Sequence, residues 1–376
     1  MALLFLFIFC ATLSATFGQT YYVESAPVAP FSCTITQPCR VSDLPGTFTT
    51  AATIVFLPHT TGTKDVFTLG TTNFDHPSLV ISAGVIFNAT ILKTSAANSI
   101  TCTSAAFISK CTLNANNVET VDLESCNFTN SGITSQSCGE IDINSCFVTA
   151  LAGGQHILLS GDNITVQSMT MTSSTSTLPL LEFDTGSANN ANWFIDDFTG
   201  TGLTTTGTSS IVLFASTNGE VFIATFQQST LTNITAGGAF KEMRVSSSPL
   251  TTMPFACQTT YFRMNFLGGT CKNGLYYSNS QNPYATVTST VQDTIATNIN
   301  FQNGAAFLLH SSSGWDIVGA YIGSTNYICG ATNQAFLAKC TGTVVDTIFS
   351  FSGYDNGSIS TSNCPHILVN GNLICP

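Results

Sequence analysis

Charge is what this 376-residue chain has least of. Only 8% of its residues are charged, with nine Lys or Arg against twenty Asp or Glu, for a net charge of −11. So few cations cannot cover a polyphosphate backbone, which excludes nucleic acid as a partner, and an acidic surface repels anionic lipid. Histidine is also scarce: His59, His76, His156, His310 and His366 are too scattered for a ligand set. No Cys-x-x-Cys pair accompanies them, so no metal is expected. The serine-hydrolase, zinc-protease, phosphate-loop and dinucleotide fingerprints are all missing, and no cofactor is expected. Long apolar runs are missing as well. The run Leu3 to Cys10 is shorter than the roughly 20 residues a membrane span needs, and no later segment qualifies. The final residues, Asn370 to Pro376, lack the hydrophobic tail of a lipid-anchor signal.

Residues 1–18 instead read as a secretory signal peptide, with cleavage expected after Gly18 and Thr16 at the −3 position. The mature protein is therefore expected outside the cell, without a membrane span. There, Thr, Ser, Asn and glycans would replace charge as the source of solubility. Five sequons, at Asn88, Asn127, Asn163, Asn233 and Asn356, supply acceptors, and at least two are expected to be modified. Fourteen Cys suit an oxidising compartment. Cys10 leaves with the signal, so an odd number remains. Near-neighbour spacing pairs Cys33 with Cys39, Cys102 with Cys111, Cys257 with Cys271, Cys329 with Cys340 and Cys364 with Cys375. Spacing alone does not fix connectivity. Cys126, Cys138 and Cys146 are left over, and a buried thiol stack, a bridge and a zinc site all stay open for them.

The chain is organised by a repeat between Phe107 and Ser173. Val121 aligns with Ile141 and Ile164, Leu123 with Ile143 and Val166, and Cys126 with Cys146 and Met169, in steps of 20 and 23 residues. Each unit alternates apolar and polar residues, the period of a strand. A short strand recurring at that step predicts an all-β solenoid, in which inward residues stack in apolar columns. Cys126 and Cys146 would then lie on neighbouring strands about 4.8 Å apart. Residues 19–60 read as an N-terminal cap and 61–376 as the solenoid with a C-terminal cap. Disulfides Cys33–Cys39 and Cys364–Cys375 would staple the ends. Loops are expected at 173–178, 185–192, 201–208, 246–254 and 278–285.

The opening strand Tyr21-Tyr22-Val23, the clip around Pro38-Cys39 and the strand Thr53-Ile54-Val55-Phe56-Leu57 resemble the start of secreted right-handed parallel β-helix proteins of the pectin-lyase-like superfamily. The segments Ala236-Gly237-Gly238-Ala239-Phe240 and Asn303-Gly304-Ala305-Ala306-Phe307 resemble adhesin-like and polymorphic-membrane-protein-like repeats, where Gly and Asn would turn corners. The resemblance implies a single-stranded right-handed parallel β-helix. It also implies a test for polysaccharide-cleaving chemistry. The polygalacturonase-like set is missing, since the one adjacent Asp pair, Asp196-Asp197, is followed by neither Gly-His-Gly nor Arg-x-Lys. Lys241 and Arg244 are the nearest basic pair. Two adjacent strand residues also face opposite ways. Asp122 with Asp142, and Glu124 with Asn144, form an outward ladder that reads as solvated residues or a weak calcium site.

The leading expectation is a non-catalytic structural or adhesive protein of the cell surface or matrix. Its partners would be extracellular glycans, proteins or further copies of itself stacked end to end. The alternatives are a polysaccharide lyase or glycoside hydrolase, and a glycan-binding module using Trp193, Trp315, Tyr276 and Tyr277.

Overall fold

The computed structural model describes residues 19–25, 27, 32–35, 37–45, 48, 52–58, 65–186, 190–217, 220–245, 255–272, 274–280, 285–292, 295–301, 305–310, 314–318, 321–323, 326–327, 336–341, 348–351, 366–369 and 372–374. Beyond Tyr276 it describes strand backbones and, among side chains, Ile299. Among the described residues, apart from one 3-10 turn, Val41–Asp43, the regular structure is all β.

The strands stack in three parallel ladders, and the chain visits the ladders in rotation. In the first, Thr120–Glu124 pairs with Ser99–Thr103 on one side and Cys138–Asn144 on the other. In the second, Asn127–Thr129 lies between Ala106–Ile108 and Phe147–Thr149. In the third, Thr112–Asn116 lies between Ile91–Ser95 and Gly132–Gln136. Long curled parallel sheets of this kind are consistent with a parallel β-helix. Among the described residues the one antiparallel strand pair is near the C-terminus, between His366–Val369 and Asn372–Ile374. The columns expected from the repeat are present: Val121 stands opposite Ile141, and Ile141 opposite Ile164. The long strand Ile157–Gln167 runs through two ladders without a corner between them.

The interior is filled by the inward half of each alternating strand. Phe67, Phe87, Phe107 and Phe128 are in register and form one stack, with centroids 5.4, 5.3 and 4.7 Å apart and all four rings buried. Each fully buried ring of this kind contributes roughly 1.5–3 kcal/mol through burial and about 0.5–1.5 kcal/mol more through each aromatic contact. The column continues through Val148, Met171, Gly200 and Leu231 to Phe266. Along it the chain covers 21 residues from Phe107 to Phe128 but 35 from Leu231 to Phe266. The added length is not all loop. Within the expected loops 173–178 and 201–208, Thr175–Ser176 and Thr204–Thr205 pair with each other, and Thr204 pairs with Thr235. Segment 246–254 lies outside the described residues.

Asn117 and Asn130 turn corners in the left-handed conformation, as expected of Asn, but most corners after the first ladder are turned by other residues. Ser104, Ser125, Ser145, Ser168, Asp197, Gln228 and Arg263, each just after a first-ladder strand, have φ between 49° and 55°. A left-handed L-residue costs about 1–2 kcal/mol. Here each turn is locked from the next rung: the Ser125 N–H donates to Asn144 O at 2.9 Å, Ser145 to Gln167 O at 2.9 Å, and Ser168 to Asp196 O at 3.0 Å. Gly237 and Gly238 serve another purpose. A Cβ on Gly238 would lie 2.5 Å from Thr208 O and one on Gly237 2.7 Å from Thr206 C, so these glycines admit the neighbouring rung.

The N-terminal end is stapled as expected. Cys33 and Cys39 are disulfide-bonded. The clip they close lies along the outer edge of Thr20–Val23, with Tyr22 N–H donating to Cys33 O and Cys39 N–H donating to Tyr22 O, both at 2.9 Å. An exposed parallel edge is thereby covered. Cys329, Cys364 and Cys375 lie outside the described residues, and so does the side chain of Cys340 in the strand Phe336–Thr341.

The packing makes a direct prediction. Phe107→Ala removes the middle of the stack and is expected to cost about 3–5 kcal/mol in chemical denaturation. Phe147→Ser, at a half-exposed outward position of the same ladder, is expected to change stability by about 0.5 kcal/mol or less.

Candidate functional site

The expected site residues fall into separate places. Asn127, Asn163 and Asn233 are exposed, and Asn88 is half-buried at an outward position. Each of the four is thus placed on the outside, while Asn356 lies outside the described residues. Asp122 and Asp142 are directly paired on the outer face of the first ladder. Partial burial, with the charges of Asp122 and Glu140, raises the Asp142 carboxyl above the usual range. Among the described residues no group of three His, Cys, Asp or Glu is arranged to hold a metal. Asp196 ends its strand, and Asp197 occupies the left-handed corner, where it accepts a hydrogen bond from Ser168 Oγ at 3.1 Å. The two carboxylates do not converge.

Two expected cysteine pairs are corrected. Cys102, Cys111 and Cys257 are free and buried, and Cys271 is buried without a disulfide to Cys257. The chain turns a corner between Cys102 and Cys111. Cys111 then sits beyond the second ladder, its Sγ donating to Phe87 O at 2.9 Å and accepting from Thr90 N–H at 3.1 Å. Cys257 faces Glu220 O at 3.7 Å, whereas Cys271 faces Gly238 O at 3.4 Å and Gly274 O. Close spacing in sequence therefore does not become closeness in space. Cys102 instead meets Cys126, which meets Cys146, in a buried column of three thiols. Hydrogen bonding to Cys126, then burial, hold the Cys102 and Cys146 thiols well above their ordinary range. Cys138 is separately buried at another corner.

The aromatic candidates are also corrected where they are described. Trp193 is 2% exposed and Tyr276 0%, both inside the core. Trp193 stacks on Phe222 at 4.6 Å, and its Nε1 donates to Gly161 O at 3.4 Å. The side chains of Trp315 and Tyr277 lie outside the described residues.

A charged cluster that the sequence reading did not single out lies on the outer face of the third ladder. Glu182 and Glu242 stand in one column with Leu213 between them, and Asp184 and Arg244 in the next with Ala215 between them. Arg244 grips Glu242 through Nε at 2.9 Å and Nη2 at 2.7 Å, and Ser210 Oγ donates to the other Glu242 oxygen at 2.5 Å. Burial, reinforced by the charge of Asp184, pushes the Glu182 carboxyl up to about 7. A group near neutrality beside a second carboxylate can exchange protons with a ligand. The alternations Leu181-Glu182-Phe183-Asp184 and Lys241-Glu242-Met243-Arg244 carry the signal for this face. Their mutual register is hidden because the intervening rungs lengthen.

Placing Glu242 and Arg244 outward turns Lys241 inward. It is wholly buried, its Nζ 3.1 Å from the Phe226 ring centroid and 3.5 Å from Met264 Sδ. Burial lowers its pKa well below the ordinary value.

No family model matches the chain, and no curated protein or solved structure is similar to it. Among the described residues no helix is long and apolar enough to cross a membrane.

Two pH dependences follow. Because burial holds the folded Lys241 pKa well below its unfolded value of about 10.4, the unfolded chain binds more protons in the window between the two, and stability rises with pH across that window. Lys241→Met is expected to stabilise the protein at pH 7 in urea titrations, with the gain shrinking toward pH 10. Glu182 has the opposite sign: its raised pKa means that stability falls as pH rises from about 4.3 to about 7. Glu182→Gln is expected to flatten the stability profile across that window.

Proposed function

We propose that this chain is a secreted, glycosylated, non-catalytic structural or adhesive β-helix protein of the cell surface or extracellular matrix. The reading takes the helix as single-stranded, right-handed and built in the pectin-lyase-like style. The observation that carries it is the outward placement of Asn88, Asn127, Asn163 and Asn233 on a long parallel-ladder scaffold. Exposed Thr, Ser and Asn columns with attached glycans would keep a low-charge rod soluble. Copies stacked end to end would pair backbone groups through strand edges at their ends.

A second reading, a polysaccharide lyase or glycoside hydrolase, draws support from Glu182 and Asp184. These lie two residues apart on one face, so about 6.6 Å apart along the strand. That spacing is in the range of the paired carboxyls of inverting hydrolysis, about 6.5–9.5 Å. Against it, Glu242, the remaining acid of the cluster, is committed to Arg244 and Ser210.

Expression of the full chain in a eukaryotic secretory host tests the first reading. The expected product is found in the medium, begins at Gln19 and loses at least two glycans' mass on peptide N-glycosidase treatment. Retention in the cell, or a mass unchanged by the glycosidase, would overturn it. Cleavage of pectin, alginate or another acidic glycan by the secreted protein, abolished by Glu182→Gln, would favour the second.

A further inference from the structure

The outer face of the second ladder is dominated by threonine. Thr129, Thr149, Thr172, Thr201 and Thr232 stand opposite one another in an unbroken column over five rungs. Two residues earlier on the last three rungs, Thr170, Thr199 and Thr230 form a second column. Those rungs read Thr-Met-Thr, Thr-Gly-Thr and Thr-Leu-Thr, with Met171, Gly200 and Leu231 buried between the outward pairs. Past the left-handed corner at Ser173, Gly202 and Asn233, a third column runs through Thr175, Thr204, Thr235 and Thr270. From Asn127–Thr129 to Asn265–Cys271, no described strand of this ladder holds a charged residue. The other two ladders differ: Asp122 and Asp142 face out from the first, and Glu182, Glu242 and Arg244 from the third.

The columns make a rigid grid. Neighbouring rungs are about 4.8 Å apart, and residues i and i+2 of one strand are about 6.6 Å apart on the same face. Branching at Cβ restricts χ1 of each Thr, and side chains stacked in register favour an untwisted sheet. Thr129 Oγ1 lies 3.2 Å from Thr149 Oγ1, so neighbouring hydroxyls come within hydrogen-bond reach along the column. Among the described residues, no hydroxyl of the three outward pairs is engaged by another group of the protein. An uncharged grid of hydroxyl and methyl groups attracts no mineral or polyelectrolyte. It engages best a solid whose own groups repeat on similar spacings, because many weak contacts then form at once. The surface oxygens of ice repeat on spacings close to these two, and each can donate to or accept from a hydroxyl.

We propose that the threonine face of the second ladder binds ice. The hydroxyls take lattice positions in the surface layer, and the methyl groups fill the gaps between its oxygens. Lattice water is already immobilised, so the contact avoids the entropy that ordering liquid water costs. The inference goes beyond the structural or adhesive reading and does not depend on it.

The test uses the full-length protein before and after peptide N-glycosidase treatment, because Asn127 and Asn233 border the grid. Two readouts are taken: the gap between freezing and melting points in a nanolitre osmometer, and adsorption of the fluorescently labelled protein to a single ice crystal. Either form is expected to adsorb and to open a gap that grows with protein concentration. Thr201→Tyr, at the centre of the grid, is expected to lose both. Thr225→Tyr, on the outer face of the first ladder, is expected to keep both. Circular dichroism melting establishes that each variant is folded, and if Thr201→Tyr is not, Thr172→Lys is expected to show the same loss. The proposal is overturned if neither form of the unmodified protein adsorbs to ice or opens a gap. It is equally overturned if a folded Thr201→Tyr or Thr172→Lys keeps full activity, if Thr225→Tyr loses it as completely, or if microcrystalline cellulose or chitin retains the protein and ice does not.

Discussion

Every rung of this protein depends on the ones above and below it for its backbone hydrogen bonds. A parallel strand donates and accepts sideways, never within itself, so an isolated rung would leave its polar groups unpaired. The same dependence governs the corners. Left-handed Ser125, Ser145 and Ser168 each place an N–H where the next rung's carbonyl receives it. A local backbone cost is thus offset by a contact that exists only in the stack, which couples corner geometry to ladder register. The coupling also extends to the first described strand, whose outer edge is paired with the disulfide clip.

Within that frame the interior changes character along the axis. From Phe67 to Phe128 the rungs are short and uniform, and identical side chains stack. From Met171 onward the rungs lengthen, and the columns mix Gly, Leu and Phe. The wider section admits Trp193 and Tyr261 as well as a buried lysine. Lys241 goes in because its neighbours Glu242 and Arg244 must go out together, and strand alternation allows no other assignment. The charge cluster is therefore a feature of the irregular half, and the sequons Asn88, Asn127 and Asn163 belong to or border the regular half.

What could be read from the residues follows the same division. Val121, Ile141 and Ile164 share one column because a strict 20-residue step carries both period and register. The N-terminal pair Cys33–Cys39 was legible because a six-residue clip needs no knowledge of distant strands. Cys102 and Cys111 were misread because the corner between them is invisible to spacing arithmetic. Trp193 and Tyr276 stood open between glycan contact and core packing because aromatic identity says nothing about which way a strand faces, and both are in the core. The threonine columns of the second ladder escaped notice because their alignment depends on the register of Thr170–Thr172, Thr199–Thr201 and Thr230–Ala236, across steps of 29 and 31 residues in a loosened repeat. Corner chemistry was legible in part: Asn117 and Asn130 take the left-handed conformation expected of Asn, while at Ser125, Ser145 and Ser168 an inter-rung hydrogen bond makes serine sufficient.

The functional picture that results is of a stacked scaffold whose inside is almost wholly apolar and whose outside carries Thr, Asn and scattered acids. Among the described residues the column of thiols and the stacked aromatics belong to the inside, and the sequons to the outside. Both assignments rest on parallel stacking in one register. Spin labels at Asp122→Cys and Asp142→Cys, read by dipolar broadening, measure that stacking directly. The stacked account predicts strong broadening, since the labelled backbones are about 4.8 Å apart, and weaker broadening when the partner of Asp122→Cys is Thr165→Cys, one rung further on. Absent broadening at 122 and 142, or equal broadening for both pairs, would contradict it.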